Sequence, residues 1–337
     1  MNKHYWIEIL QTIIILILLG VLLRSNTFST NTTEQGYISK NNGLLSPRIY
    51  SGVLKPQSML INNFEPLQTG IRYFLRENNI SASVYIENLR NGANVGIDED
   101  ERYFPASFHK LPVAVLIMRK IENGELSLNA TLVIREDERT NTSGTLYLSH
   151  TNEASVKVLL EKMLQESDNT AFNVLYHNID KGRLALLLDY YNIEINLDNP
   201  YNHVESFEDA STVTPLSMYN LFSSLYLSTV LKPQDSEYIL SLLSNTTFDI
   251  KKLAKLPDNI TVAHKYGEYY KDDKQVFHDC GIMYIGDSKI FYCIMTKDLN
   301  RKDALATIGI IVNAVYDYVI EARTTLDSYN LQLNNSR

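Results

Sequence analysis

Apolar and polar positions divide the 337-residue chain into three stretches of different character. From Ile9 to Leu23 the run ILQTIIILILLGVLL is almost wholly apolar, and with Tyr5 and Trp6 it approaches the length that spans a bilayer. Residues 25–60 are rich in Ser, Thr, Asn, Gly and Pro, the composition of a tether. Helix-like and strand-like patterns follow. Segments 1–24, 25–60 and 61–330 therefore read as anchor or signal sequence, tether and folded domain.

Within the folded part, helical periodicity predicts a helix over 65–77 and a long one from Ser107 to a glycine stop at Gly124. Further helices are expected over 155–166, 170–176, 182–190, 215–226 and 233–243, with a long amphipathic one over 302–322. Strand-like runs cover 81–89 and 93–97, joined by Arg90-Asn91-Gly92, whose Asn-Gly is a strong hairpin signal. Strands return over 261–266, 281–285 and 289–296. Strands at both ends with helices between them predict an α/β domain of the α+β kind. Its terminal helices would flank a mostly antiparallel sheet, and the middle would form an inserted all-helical subdomain.

The N-terminal run is apolar on all faces, which argues against a helix of the soluble fold. Lys3 precedes it and Arg24 follows it, so charge does not orient it cleanly. Thr27 and Ser29 are small, but no Ala-x-Ala follows, so an uncleaved membrane anchor is favoured over a cleaved signal peptide. The expectation is a single-pass protein with an extracytoplasmic domain, secreted if the segment is removed. No cysteine stands near its end, which excludes a lipoprotein.

Composition adds exclusions. The chain is 45% hydrophobic with a formal net charge of -8 and no basic stripe, which argues against a nucleic-acid partner. A monomer is expected. The seven histidines show no ligand spacing, and two cysteines are too few for a zinc site, so no metal or other cofactor is expected. Counting outward from a Gly286-Asp287 turn pairs Cys280 with Cys293 as close, non-hydrogen-bonded neighbours. A cross-strand disulfide and two buried thiols both fit that register.

Three short motifs carry the candidate chemistry. Ser107-Phe108-His109-Lys110 follows the structure-breaking Phe104-Pro105-Ala106, placing Ser107 near a helix start with Lys110 on its face. A nearby lysine accepts the hydroxyl proton once burial or charge lowers its pKa, and helix N–H groups favour developing negative charge. Alone, the motif reads first as a serine cap beside a solvated lysine. Ser167-Asp168-Asn169 interrupts two helical segments and offers a hydroxyl and an amide, although by itself it reads as an ordinary cap. Lys265-Tyr266-Gly267 puts a strand lysine before a glycine that admits close approach to the strand edge. His109 and His264 flank these motifs and are expected to pack or face solvent rather than tune the site.

In order and spacing, these motifs resemble the S-x-x-K, S-D-N and K-T-G signatures of the class A β-lactamase and penicillin-binding protein superfamily. The resemblance covers about residues 65–325, including Thr212-Val213-Thr214-Pro215. It implies a β-lactamase/transpeptidase-like fold that hydrolyses a β-lactam, with two alternatives: a D,D-peptidase acting on a peptidoglycan stem peptide, or a non-catalytic domain that senses cell-wall peptides or β-lactams. Residue by residue it implies Ser107 as acylated nucleophile, Lys110 as its base and Ser167 as proton relay. Asn169 would bind the substrate amide and Lys265 its carboxylate, with the N–H groups of Ser107 and Glu268 as oxyanion hole. Two departures stand out: Tyr266 replaces the threonine of K-T-G, and the Glu-x-x-Leu-Asn motif of the deacylating loop is absent. Asp198, in Asp198-Asn199-Pro200-Tyr201-Asn202, is the candidate substitute for that glutamate, with Glu205 and Glu208 nearby. By itself it reads first as part of an Asx turn.

Overall fold

The computed structural model describes residues 64–197, 212–271 and 274–335, with side chains to residue 322 in the last stretch. The apolar N-terminal run, the tether and Asp198 with its loop lie outside the described residues.

Helix α1 (Glu65–Glu77) carries a proline in its first turn and buries Leu67, Ile71 and Leu75, one stripe at helical spacing. Strands β1 (Ala82–Asn88) and β2 (Asn94–Ile97) form the expected hairpin, whose turn has Gly92 at φ 78°. After a 3-10 turn over Ala106–His109, helix α2 (Lys110–Glu122) stops before Gly124, at φ 73°. A short ribbon follows, β3 (Thr131–Val133) with β4 (Glu153–Ser155). Its strands are too short for a period-2 pattern to register, and it is an addition to the otherwise helical insertion. Helices α3 (Val156–Gln165), α4 (Asn169–His177), α5 (Lys181–Tyr190), α6 (Pro215–Tyr226), α7 (Pro233–Leu243) and α8 (Ile250–Leu253) come next. Strands β5 (Thr261–Lys271), β6 (Lys274–Ile285) and β7 (Ser288–Lys297) and the long helix α9 (Arg301–Asn335) complete the domain.

The main sheet is antiparallel, in the order β2-β1-β7-β6-β5, so the two chain halves meet where β1 pairs with β7. Alternation along each strand feeds two cores. In β7, Phe291, Cys293 and Met295 face the helical insertion, with Leu111, Ile117, Leu159 and Phe172. Ile290, Tyr292 and Ile294 face α1 and α9, with Ile71, Ile308 and Val315. Helix α9 is long and apolar enough by composition to cross a membrane over Arg301–Ala322, but its buried stripe belongs to this second core. The β6–β7 register is the expected one: Ile285 opposes Ser288, and Cys280 opposes Cys293. Their Cα atoms are 3.9 Å apart and the sulfurs are bonded, so the disulfide is the alternative the fold adopts.

Candidate active site

The approach to Ser107 is bent by Ala106, whose φ of 45° is a left-handed conformation that an alanine adopts at a cost. The bend is fastened from behind. His278, fully buried on β6, donates from Nε2 to the Phe104 carbonyl at 3.0 Å, and burial lowers its pKa to about 4, so the ring is neutral. The α-helix starts at Lys110, three residues later than the pattern predicts, because the chain first makes the 3-10 turn. Ser107 and Lys110 still share a face. Lys110 Nζ lies 2.9 Å from Ser107 Oγ.

Ser167 stands in the break between α3 and α4 with φ 56°. Asp168 caps α4, accepting from Ala171 N at 2.8 Å, and its other oxygen accepts from Leu146 N at 2.7 Å. Gly144 makes that approach possible, since a Cβ there would come within 2.1 Å of the carboxylate. With its backbone fixed, Ser167 turns its hydroxyl to Ser107 Oγ, at 2.8 Å. Asn169 places Oδ1 2.6 Å from Lys110 Nζ and donates through Nδ2 to Thr142 Oγ1 at 2.7 Å. Thr142 and Gly144 thus join the site, and no sequence signal beyond loop composition points to either.

On the other wall, Lys265 of β5 donates to Ser167 Oγ at 3.0 Å and to the Tyr266 carbonyl at 2.8 Å. Two residues on, Gly267 lies against the nucleophile turn: a Cβ there would sit 3.3 Å from Ser107 N. The Glu268 side chain points outward to Arg301, at 2.8 Å. The structure therefore gathers Ser107, Lys110, Ser167, Asn169, Lys265 and Gly267 into one site, with the backbone of β5 passing over the nucleophile.

Both lysines are fully buried. Burial, followed by the charge of Lys265, drives Lys110 well below the usual lysine range. Four oxygens surround its Nζ: the hydroxyls of Ser107 and Ser167, the Ser167 carbonyl at 2.6 Å and Asn169 Oδ1. A neutral amine fits this set, giving its two N–H bonds to the carbonyl and the amide oxygen, which can only accept, and turning its lone pair to a hydroxyl. Burial lowers Lys265 to about 7, opposed by the charge of Asp279.

A sequence model of the β-lactamase enzyme family (Beta-lactamase2) matches residues 66–319. The chain belongs to that family. Among solved structures it is similar to PBP-A, at 23% identity and a TM-score of 0.68, over 77% of this chain and 98% of that one. It is also similar to the TLA-1 extended-spectrum β-lactamase, at 18% identity and a TM-score of 0.70, over 77% of this chain and 100% of that one. A β-lactamase from Xanthomonas campestris matches at 21% identity and a TM-score of 0.67, over 77% of this chain and 100% of that one. PBP-A has also been solved, as a variant, in an acyl-enzyme complex with penicillin G.

This member of the β-lactamase family carries its K-T-G departure in a particular way. The Tyr266 ring packs on Phe248, centroids 4.9 Å apart, and Lys265 Nζ lies 4.3 Å from its centroid. The tyrosine thus adds an aromatic neighbour to the site lysine. His109 and His264 are both buried. His109 packs edge-on against Phe172 at 4.6 Å, and burial and Lys110 lower its pKa. His264 belongs to a network on the far face of the sheet.

Proposed function

We propose that the protein is a serine hydrolase that opens the amide of β-lactams by attack of Ser107, forming an acyl-enzyme. The reading is carried by the closed contacts among Ser107, Lys110, Ser167 and Lys265, in which every hydroxyl and amine lies within 3.0 Å of another. It is supported further by the acyl-enzyme that a protein of the same fold forms with penicillin G.

In this scheme neutral Lys110 takes the Ser107 proton as Oγ bonds to the lactam carbonyl carbon and the carbonyl π electrons move to oxygen. The N–H groups of Ser107 and Glu268 hold that oxyanion. As the carbonyl re-forms, the C–N bond breaks. The proton on Lys110 passes through Ser167 Oγ to the departing nitrogen, which returns Lys110 to its neutral state. Lys265 supplies positive charge beside Ser167 and draws the substrate carboxylate. Asn169, oriented by Thr142 and Lys110, holds the substrate amide. Release needs a water activated by a carboxylate. Asp198 is the candidate, with a side chain one methylene shorter than the glutamate of the missing Glu-x-x-Leu-Asn loop.

That missing motif favours a second reading, a D,D-peptidase or penicillin-binding protein acting on peptidoglycan stem peptides and releasing β-lactams slowly. A fluorescent penicillin followed over time separates the two. Labelling that fades supports hydrolysis, and labelling that persists supports the penicillin-binding role. Labelling that survives Ser107→Ala overturns the acyl-enzyme scheme altogether. The apolar run at 9–23 supports a membrane anchor for an extracytoplasmic domain. Cell fractionation tests this: the full chain is expected with membranes and a chain lacking residues 1–24 in the soluble fraction, and a soluble full chain would refute the anchor.

A further inference from the structure

The hydrogen bond from Lys265 to Ser167 joins the sheet to the helical insertion, and a second set of contacts behind the site spans the same two parts. His264, the neighbour of Lys265, turns to the opposite face of β5. Its Nδ1 meets Asp279 Oδ2 at 2.8 Å and its Nε2 meets Thr246 Oγ1 at 2.7 Å. Tyr292 donates to the other Asp279 oxygen at 2.6 Å, so β5, β6 and β7 all contribute. Room for the histidine comes from Gly281, its cross-strand partner: a Cβ there would lie 2.4 Å from His264 Cβ. His264 is 2% exposed and Asp279 fully buried, an arrangement that hydrophobic packing alone would not select.

Thr246 leads directly to the other wall. Its neighbour Thr247 donates from N to the Gln165 carbonyl at 2.9 Å and from Oγ1 to the same oxygen at 3.1 Å. Gln165 ends α3, two residues before Ser167. A continuous path of short contacts therefore runs from Asp279 through His264, Thr246, Thr247 and Gln165 to Ser167, and closes on itself through Lys265.

We propose that Thr246 and Thr247 form a clasp, anchored on the His264–Asp279 pair, that sets the distance between Lys265 and Ser167. They are positioning residues, since none of them touches the reacting atoms. The proposal rests on the acyl-enzyme reading for its kinetic consequence and on geometry alone for its structural one. Proton relay through Ser167 is sensitive to displacements well under an ångström, whereas initial capture of a β-lactam draws on contacts spread over the site.

The test uses the full chain with Thr246→Val, which keeps shape and removes the hydroxyl, and Thr246→Ser, which restores it. Stopped-flow acylation by a reporter penicillin should show the limiting rate falling by about tenfold or more in Thr246→Val, with the apparent dissociation constant within about threefold of the parent. Thr246→Ser should recover most of the rate, which a general loss of packing would not allow. An unchanged limiting rate, or equal impairment in both variants, overturns the clasp. A crystal structure of Thr246→Val supplies a readout independent of acylation: separation of Lys265 Nζ from Ser167 Oγ beyond hydrogen-bond range supports the clasp, and an unchanged contact overturns it. Failure of the unmodified protein to react would refute the acyl-enzyme reading and leave the clasp to be decided by that distance. Should Thr246→Val not fold, Thr247→Val, judged against Thr247→Ser, serves in its place under the same criteria.

Discussion

Each half of the fold buries one lysine at the floor of the site, and the two halves treat it differently. Lys110, from the helical insertion, sits among uncharged oxygens, and Asp168 nearby has both carboxylate oxygens committed to the N–H groups of Leu146 and Ala171. Lys265, from the sheet, has Asp279 on the opposite face of β5 and β6, where that charge works against burial. Lys110 is accordingly pushed well down, and Lys265 is held at about 7. Burial alone assigns neither role. Each lysine has one carboxylate working against burial, Asp168 for Lys110 and Asp279 for Lys265, and what sets the two apart is the charge of Lys265, which lowers Lys110 further.

The sharpest break of that comparison is arginine at each position. Lys110→Arg imposes a permanent charge and cannot deprotonate, so acylation should fall by about 10²–10⁴-fold. Lys265→Arg keeps what the position is asked to supply and should lose about tenfold or less. Comparable losses in the two variants would dissolve the distinction.

The pH profile sharpens it next. Acylation by a carboxylate-bearing penicillin should weaken in acid, as Lys110 gains its proton. It should also weaken above about pH 7, as Lys265 loses its own. In Lys265→Arg the upper limb should vanish and the lower one persist.

Stability gives a smaller, independent reading. Because the folded pKa of Lys265 is depressed from 10.5 to about 7, the unfolded chain binds the extra proton between those values. Folding stability relative to Lys265→Met should therefore rise with pH across that window, by on the order of 1.4 kcal/mol per unit, in urea titrations. A flat difference would place the lysine's folded pKa elsewhere. A further stability effect is expected at the cysteines. They lie 13 positions apart, and removing both should cost about 3 kcal/mol in the same assay. Thiol titration of the denatured, unreduced chain should find none free.

Much of this was legible in the sequence wherever local chemistry dictates structure. Helices α6 and α7 begin and end at the expected residues because Pro215 and Pro233 fix their first turns, and Thr214 caps the former through Ser217 N at 3.0 Å. The Cys280–Cys293 register followed from a two-residue turn. Ser107, Lys110, Ser167 and Lys265 were legible as motifs, and their convergence followed from the family resemblance. Strands β5 and β6 run past Gly267 and before Gly281, glycines that look like strand ends and are instead places of close approach to Ser107 N and His264. The residues behind the site were harder. Asp279 is a carboxylate inside the apolar run VFHDCGIMYI, which signals a buried partner without naming it. That partner, His264, is 15 residues away and becomes a neighbour only through the β5–β6 pairing.

Strand β5 closes the sheet on one side and pairs with β6 alone among the described strands. A protein that needed only to be stable would cover such an edge, because a row of unpaired peptide groups invites any extended chain to add to it. Here the edge borders Ser107 and, under the proposed function, receives the substrate, so concealment would block it. Its protection falls to charge and crowding outside the site, from the exposed Glu268–Arg301 pair and the exposed Tyr270. Colloidal behaviour and catalysis are thereby tied to the same stretch of backbone. Neutralising Glu268 should affect how the protein keeps in solution before it affects how fast it reacts.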